Sequence, residues 1–441
     1  MSFYQTARAG SSRARRASRL LSEILAGSPG VALRTWDGHE TGPSTSQATI
    51  VVRSPRALAW LFRSPGQLGL ARAYVAGDLD VEGDIYYVLG LPQRLGQLDL
   101  SVRHWLAALR LAAPALLHGL EAPEEEADLH GPRHSLARDR AAISHHYDIS
   151  NQFYELVLGP SMTYSCAYWK PGVKTLEEAQ QAKHDLIAAK LRLAPGVRLL
   201  DLGCGWGTLA RHAAQNYGAT VVGVTLSAQQ VGWAWRAQGT GARNGAGTVT
   251  IRLQDYREVN DGPYDAISSV GMFEHVGRSR LQTYFGRLYD LLAPGGRLLN
   301  HAISALPVSR ARQPALAFPS IVPRWLLRRR FGFDRDSFID RYVFPDGELI
   351  ELGEVVTAMQ LAGFEVLHVE SLREHYGPTL RAWVANLERN WDKAVAAVGE
   401  RRARTWQLYM AASALTFETA RTSVHQVLGQ KPPVPSLAGE R

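Results

Sequence analysis

Cysteine is almost missing from this chain. Only Cys166 and Cys204 occur among 441 residues, so no disulfide framework is available, and no Cys/His set has the spacing of a zinc site. A reducing cytoplasm fits that usage. Long apolar runs are missing too. The longest, Trp105 to Leu120, is cut by Arg110 and Pro114 and is too short to span a bilayer. The N-terminus is basic (Arg8, Arg13, Arg15, Arg16, Arg19), but Ser22 and Glu23 interrupt Leu20, Leu21, Ile24 and Leu25, which excludes the apolar segment of a signal peptide. These absences argue against a secreted or integral protein. No internal repeat is evident.

What is present describes a folded protein. A hydrophobic content of 46% with 20% charged residues is globular rather than disordered. The length makes two domains the natural expectation. A net charge of +8 favours an acidic partner: nucleic acid, an anionic membrane or an anionic ligand. No motif for a target base is visible, so nucleic acid is set aside.

The chain then reads in order. Residues 1–30 suit a basic amphipathic helix, either a solvated terminus or an attachment to an anionic bilayer. Residues 31–100 hold a strand at Ala48–Val52, a helix near Pro55–Phe62 and turn-rich segments, with no nucleophile, base or metal cluster. The run Glu121 to His134, with Glu124, Glu125, Glu126, Gly131 and Pro132, has the composition of a linker. Beyond it, strands and helices alternate. A helix from Thr175 to Leu193 opens on a capping box, Thr175 with Glu178. Strands follow at 198–202, 220–225, 248–253, 264–270, 297–301 and 364–371. Residues 302–345 are a long insertion, and 377–428 are expected to be helical.

The central motif is Leu199-Leu200-Asp201-Leu202-Gly203-Cys204-Gly205-Trp206-Gly207. A strand, a glycine turn and a helix start form a nucleotide-cofactor cradle on an open α/β sheet. The bland alternative is an ordinary tight turn. In such sheets ligands bind at the carboxyl ends of the strands, and Thr225, Asp255, Glu274 and His301 stand at those ends. Thr225, with Gln230 after it, replaces the usual ribose-binding acid. Asp255 suits an adenine amino group. Glu274, His301 and Tyr376 form a candidate cluster able to orient a base or a small anion. Cys166 is an unattractive nucleophile, since no cation or helix start is assured beside it.

The segments HHYDISNQFYELVL, MTYSCAYW, LLDLGCGWGTLARHAA, GVTLSAQQ, LQDYRE, GMFEHVG, FIDRYVFPDGEL and REHYGPTLRAW together resemble the cyclopropane-fatty-acid synthase family, which includes the mycolic acid methyltransferases. The resemblance implies an α/β fold: a seven-stranded Rossmann-like domain binding S-adenosylmethionine (SAM), preceded by a smaller α+β accessory domain. It assigns residues 1–120 to that lipid- or membrane-binding domain, 121–140 to the linker, 141–428 to catalysis and 429–441 to a flexible tail. It implies that Tyr164, Ser165, Asp201, Gly203, Gly205, Gly207, Thr225, Gln230, Asp255 and Tyr256 hold SAM. It also implies a bicarbonate held by Cys166, Glu274, His301, Ile303 and Tyr376, and no metal. The implied reaction adds a methyl to the double bond of an acyl chain of a membrane phospholipid, giving a cyclopropane. A methylene- or methyl-branched chain is the alternative product, and a non-enzymatic lipid- or SAM-binding protein a more distant reading. Aromatic faces for the cation are available in Tyr147, Phe153, Tyr164, Tyr168, Phe273 and Tyr376. The accessory domain points to the longer, phospholipid-acting members. With the segment Phe318–Phe331, which mixes apolar, Trp and Arg residues, it implies a cytoplasmic protein peripheral to the inner face of the plasma membrane. A homodimer is expected by analogy. The C-terminal cysteine of some members is absent here, where Ser413 or a neighbour stands.

Overall fold

In a computed structural model, residues 11–25, 30–64, 66–91, 102–117, 119–127, 138, 149–238, 247–305 and 337–434 are described. Residues 145–148, which open the motif and include Tyr147, the segment 318–331 and the last residues of the chain lie outside them. The chain divides into two compact units.

The first unit takes residues 1–127, 310–343 and 399–415. It contains α1 (Ser11–Leu25), β1 (Val31–Thr35), β2 (Glu40–Thr41), β3 (Ala48–Val52), α2 (Arg56–Arg63), α3 (Gln67–Val75), β4 (Leu79–Gly83) and α4 (Val102–Leu117). The sheet order is β2-β1-β3-β4, with β1 and β3 parallel. Its core joins Leu33, Val52, Trp60, Leu111 and Leu120. The apolar face of α1 belongs to that core: Ala14 and Ala17 are fully buried and Leu20 nearly so, while Arg15, Arg16 and Arg19 are exposed. The helix expected as a membrane anchor thus spends its apolar face on its own domain.

Residues expected in the linker and in the catalytic domain are sewn into this unit by buried cations. Arg72, 2% exposed, donates to both carboxylate oxygens of Glu126 at 2.6 and 2.8 Å. Tyr342 donates to the same carboxylate. Arg404, in the helix Glu400–Glu418, donates to the Tyr74 and Leu79 carbonyls and to Asp80. Composition marked the acidic run as a linker because the buried partner of Glu126 lies 54 residues away.

The second unit takes residues 128–309, 344–398 and 416–441. Its elements are α5 (Asn151–Leu158), α6 (Leu176–Leu191), β5 (Arg198–Leu202), α7 (Thr208–Tyr217), β6 (Thr220–Thr225), α8 (Ala228–Gln238), β7 (Val249–Leu253), β8 (Tyr264–Val270), α9 (Leu281–Leu291), β9 (Leu292–Ala305), β10 (Ile350–Glu351), α10 (Leu352–Leu361), β11 (Glu365–Ser371), α11 (Arg373–Arg389) and β12 (Thr422–Gln430). Seven strands run in the order β11-β12-β9-β8-β5-β6-β7, and β10 adds a short pairing to β9. The strands from β9 to β7 are parallel, and β12 is antiparallel to both its neighbours. Helices cover both faces. Leu200 and Leu202 meet α9 and α10 on one side, while Leu199 meets α6, α7 and α8 on the other, as the period of two in a strand requires.

The capping box expected at Thr175 and Glu178 starts α6. The C-terminal end differs from expectation. Residues 422–430 form β12, buried between two strands, where the stretch up to 428 is expected to be helical. The expected loose tail is partly tied down: Lys431 exchanges backbone hydrogen bonds with Gly295 and Gly296, and its ammonium caps the Tyr289 and Leu292 carbonyls. A strand inside a mixed sheet need not alternate in polarity, so TSVHQVLGQ carried no clear period.

The chain leaves β5 outward to β6 and β7, then returns to β8 on the other side of β5. This is the switch point at which open sheets bind ligands. Gly203, at φ 66°, lets the two exits close up: a Cβ there would stand 2.9 Å from Cβ of Met272.

Replacing Glu126 with Ala should remove the carboxylate that grips buried Arg72 through both oxygens and destabilise the first unit by about 3–5 kcal/mol. The exposed Glu124→Ala should change stability by less than about 0.5 kcal/mol. Urea denaturation of both variants checks this.

Candidate active site

A cavity lies at the switch point, walled by the exits of β5, β6, β7 and β8 and by the segment Met162–Ser165. Of the residues expected to hold SAM, Tyr164, Ser165, Asp201, Gly203, Gly205, Thr225, Gln230, Asp255 and Tyr256 line it. Gly207 is outside the lining and serves as the left-handed cap of α7.

Local bonding shapes each wall. Trp206 anchors the glycine turn: its indole donates to Asn151 at 2.8 Å, and its ring lies 4.7 Å from that of Tyr154. Arg211 donates to the Trp206 carbonyl. Thr225 donates its hydroxyl to Gln230 at 2.6 Å, so the two side chains expected at the ribose form one buried unit. Asp255 is gripped by Arg257 through both carboxylate oxygens, at 2.8 and 2.7 Å. Asp201 pairs in register with Ser268 and accepts its hydroxyl at 2.7 Å. Its other oxygen, Oδ2, is buried with no partner. Burial pushes the Asp201 carboxyl up to about 7.

The residues fit SAM. A backbone cradle without side chains at Gly203 and Gly205, an unpaired carboxylate oxygen and a polar pair at Thr225 and Gln230 suit a nucleoside that ends in an amino acid.

Of the five residues expected on the acceptor side, Cys166, Glu274 and His301 sit one step behind this lining. Cys166 follows Ser165, Glu274 lies between Met272 and His275, and His301 pairs in register with Val270. Glu274, in a short turn after β8, accepts the backbone N–H of Ile303 at 2.7 Å. Its Oε2 is buried and unpartnered, and burial raises the group to about 7. His301 is 2% exposed, and burial depresses it to about 3, so the ring is neutral. Its tautomer follows from the neighbours. Lys190 donates to Oε1 of Gln426, which turns the amide nitrogen of Gln426 toward Nδ1 of His301 at 3.1 Å. Nδ1 therefore accepts, and Nε2 carries the hydrogen. That Nε2 is also buried without a partner. Two orphaned polar atoms, an acceptor and a donor, are what a small oxyanion such as bicarbonate would satisfy.

Cys166 is fully buried, and its thiol donates to the Ala167 and Leu372 carbonyls. Burial holds the thiol far above its ordinary range, which rules it out as a resting nucleophile. The Cys166 segment is stitched to the first turns of α11, with Ala167 donating to Thr379 and Trp169 to His375. Tyr376 stands in the same helix, its ring 4.5 Å from that of Phe417.

Aromatic rings link the two sides. Tyr164 lies 5.2 Å from Trp383, which lies 6.1 Å from Tyr376. Of the other rings expected around a cation, Phe273 instead packs against Tyr284 and Phe285 in the core, and Tyr168 packs edge-on to His375.

Four residues escaped the sequence reading: Trp206 as a clamp, Trp383 as a bridge, Gln426 as the partner of His301, and Lys183. Lys183 lines the cavity. One signal was available, because Lys183 sits on the stripe of α6 defined by Leu176, Ala179, Ile187 and Leu191, all buried.

Comparison with known proteins agrees with this geometry. The family described as mycolic acid cyclopropane synthetase matches residues 134–427. A probable fatty acid methyltransferase of Mycobacterium tuberculosis is 42% identical over 90% of this chain and 90% of its own. The cyclopropane-fatty-acyl-phospholipid synthase of Escherichia coli K12 is 33% identical over 87% of this chain and 88% of its own. The solved structure of mycolic acid cyclopropane synthase CmaA1, complexed with SAH and CTAB, is 34% identical, with a TM-score of 0.59 over 66% of this chain and 98% of that one. The glycine cradle, the strand order and these likenesses agree: the chain belongs to the mycolic acid cyclopropane synthetase family, whose members are SAM-dependent methyltransferases acting on lipid acyl chains.

Proposed function

We propose that this enzyme methylates the carbon–carbon double bond of unsaturated acyl chains in membrane phospholipids and yields cyclopropane fatty acids. The observation that carries the proposal is the pair of orphaned buried atoms, Glu274 Oε2 and His301 Nε2; a chain of aromatic rings also runs from Tyr164 through Trp383 to Tyr376. An alkene is a weak nucleophile with no proton to remove first. The protein must align it with the sulfonium methyl in a dry site. As the new carbon–carbon bond forms, the C–S bond breaks and a cation develops on the neighbouring carbon. The ring faces of Tyr164, Trp383 and Tyr376 stabilise that charge. A proton must then leave the transferred methyl for the ring to close.

Bicarbonate fits as the group that supplies the immediate base. Cys166, Glu274, His301, Ile303 and Tyr376 would form its surroundings. His301 Nε2 donates to an oxyanion, and neutral His301 adds no charge to repel the cation. Glu274, with its proton affinity raised into the neutral range, is matched to take up a proton at working pH.

Two kinds of support favour a phospholipid substrate. The relatives spanning about nine-tenths of the chain are named as fatty acid methyltransferases or as a fatty-acyl-phospholipid synthase. A cyclopropane mycolic acid synthase of Mycobacterium leprae covers 67% of it. The first unit also carries exposed apolar side chains that support this reading. On α4, Leu106, Leu109 and Leu117 are 50%, 43% and 85% exposed, and Arg103 and Arg110 share that side. Exposed Arg15, Arg16 and Arg19 lie on α1, which packs on α4. Apolar residues ringed by arginines suit an anionic bilayer. Among the described residues no helix is long and apolar enough to cross a membrane.

A second reading concerns the product. The relatives from M. tuberculosis and Pseudomonas putida are named only as probable fatty acid methyltransferases. A 1,2-hydride shift that moves the cation onto the methyl-bearing carbon, followed by loss of a proton from that methyl, would give a methylene-branched chain instead.

With oleoyl phospholipid vesicles and SAM, NMR of the extracted lipid should show cyclopropane methylene protons; an exocyclic alkene would replace the first reading by the second. Glu274→Gln should lower turnover by about 10²–10⁴-fold with S-adenosylhomocysteine affinity kept, and wild-type turnover in that variant would remove Glu274 from the mechanism. Leu106→Ser with Leu117→Ser should weaken binding to phosphatidylglycerol vesicles about tenfold or more, read by co-sedimentation. Unchanged binding would place the lipid surface elsewhere.

A further inference from the structure

Lys183 is a cation in a place that costs free energy. Its side chain, carried by α6, is 1% exposed and lines the cavity. Its ammonium donates to the Ser165 hydroxyl at 2.7 Å, which uses one of three N–H groups. Among the described residues no carboxylate forms an ion pair with it. A buried ammonium without a counter-ion is strongly disfavoured. On the same cavity wall Asp201 presents Oδ2, buried and unpartnered. Lys183 and Asp201 thus bring to the cavity a buried basic group and a buried acidic group, each short of a partner. An α-amino acid group carries the complementary pair.

We propose that Lys183 is the counter-ion for the carboxylate of the cofactor's methionyl end, sharing Ser165 as a hydroxyl partner, while Asp201 receives the ammonium. This rests on SAM as the cofactor. Lys183 is therefore a binding and positioning residue: it sets where the amino acid end lies and so where the sulfonium methyl points.

The electrostatics agree. Burial lowers Lys183 to about 7, against the pull of Cys166 and Asp201. Burial raises Asp201 to about 7, while Ser268 and Lys183 pull it back. The other titratable groups facing Lys183 are Cys166, whose thiol burial keeps neutral, His301, which burial keeps neutral, and His184, which burial depresses and on which His212 and Arg211 also act. None supplies a second anion. At pH 8 the ligand-free protein holds Asp201 ionised and Lys183 largely neutral, so an arriving carboxylate draws a proton onto Lys183. At pH 6 Lys183 is charged and Asp201 largely protonated, so an arriving ammonium expels the Asp201 proton. Binding should take up protons at pH 8 and release them at pH 6.

Calorimetry of the full-length protein tests this with two probes: S-adenosylhomocysteine, and 5′-methylthioadenosine, which lacks the amino acid end. Buffers of different ionisation enthalpy report the protons. Lys183→Met should weaken S-adenosylhomocysteine about ten- to hundredfold, leave 5′-methylthioadenosine within about twofold, and abolish proton uptake at pH 8. Ser165→Ala should weaken S-adenosylhomocysteine by a smaller factor and keep the uptake. The ratio of the two affinities is taken within each variant, so it is insensitive to a loss of folded protein. Equal weakening of both probes would reduce Lys183 to a prop for the fold, and unchanged S-adenosylhomocysteine affinity would also overturn the proposal. A wild-type protein that binds neither probe would instead overturn SAM as the cofactor.

Discussion

The second unit depends on how closely the exits of β5 and β8 approach each other. Gly203 permits this: with no Cβ, and with its backbone in the left-handed region, it admits Met272 at a distance that any other side chain would block. The same approach brings Asp201 against Ser268 and sets the turn holding Glu274 next to the cavity wall. Cofactor side and acceptor side are therefore built on adjacent strands. The geometry between them is carried by sheet hydrogen bonds, which are rigid, rather than by loops.

Burial then does the chemical tuning. Asp201, Lys183, Glu274 and His301 are all deep in the protein, and in each case desolvation is the leading influence. It favours the neutral form of every one of them. The site thus presents a neutral imidazole, a thiol that stays protonated and a carboxyl whose proton affinity is raised. Lys183 lies in the lining with Ser165 and Asp201.

The motif residues were readable because each follows a strand or opens a helix, where period and turn chemistry are local. Gly203, Thr225, Asp255 and Glu274 were found in this way. What escaped were partners distant in sequence. His301 and Gln426 are 125 residues apart, and Arg72 and Glu126 are 54 apart. Nothing in TSVHQVLGQ announces a strand, because its pairing partners β9 and β11 define it. Helix α1 has the look of a surface anchor by composition, yet Ala14, Ala17 and Leu20 are buried in a domain core. An amphipathic pattern states that one face will be covered, not by what.

By itself the sequence determined the βα alternation, the glycine turn and its cofactor class, and the order of motifs that marks the family. These rest on short-range rules: side-chain period, helix caps and backbone freedom at glycine. Only the tertiary structure decided the rest: which acid is paired and which left open, which nitrogen of His301 carries its hydrogen, and that a lysine of α6 faces the cofactor cavity. Those properties depend on desolvation and on partners brought together from far along the chain. Neither is defined until the sheet has closed over them.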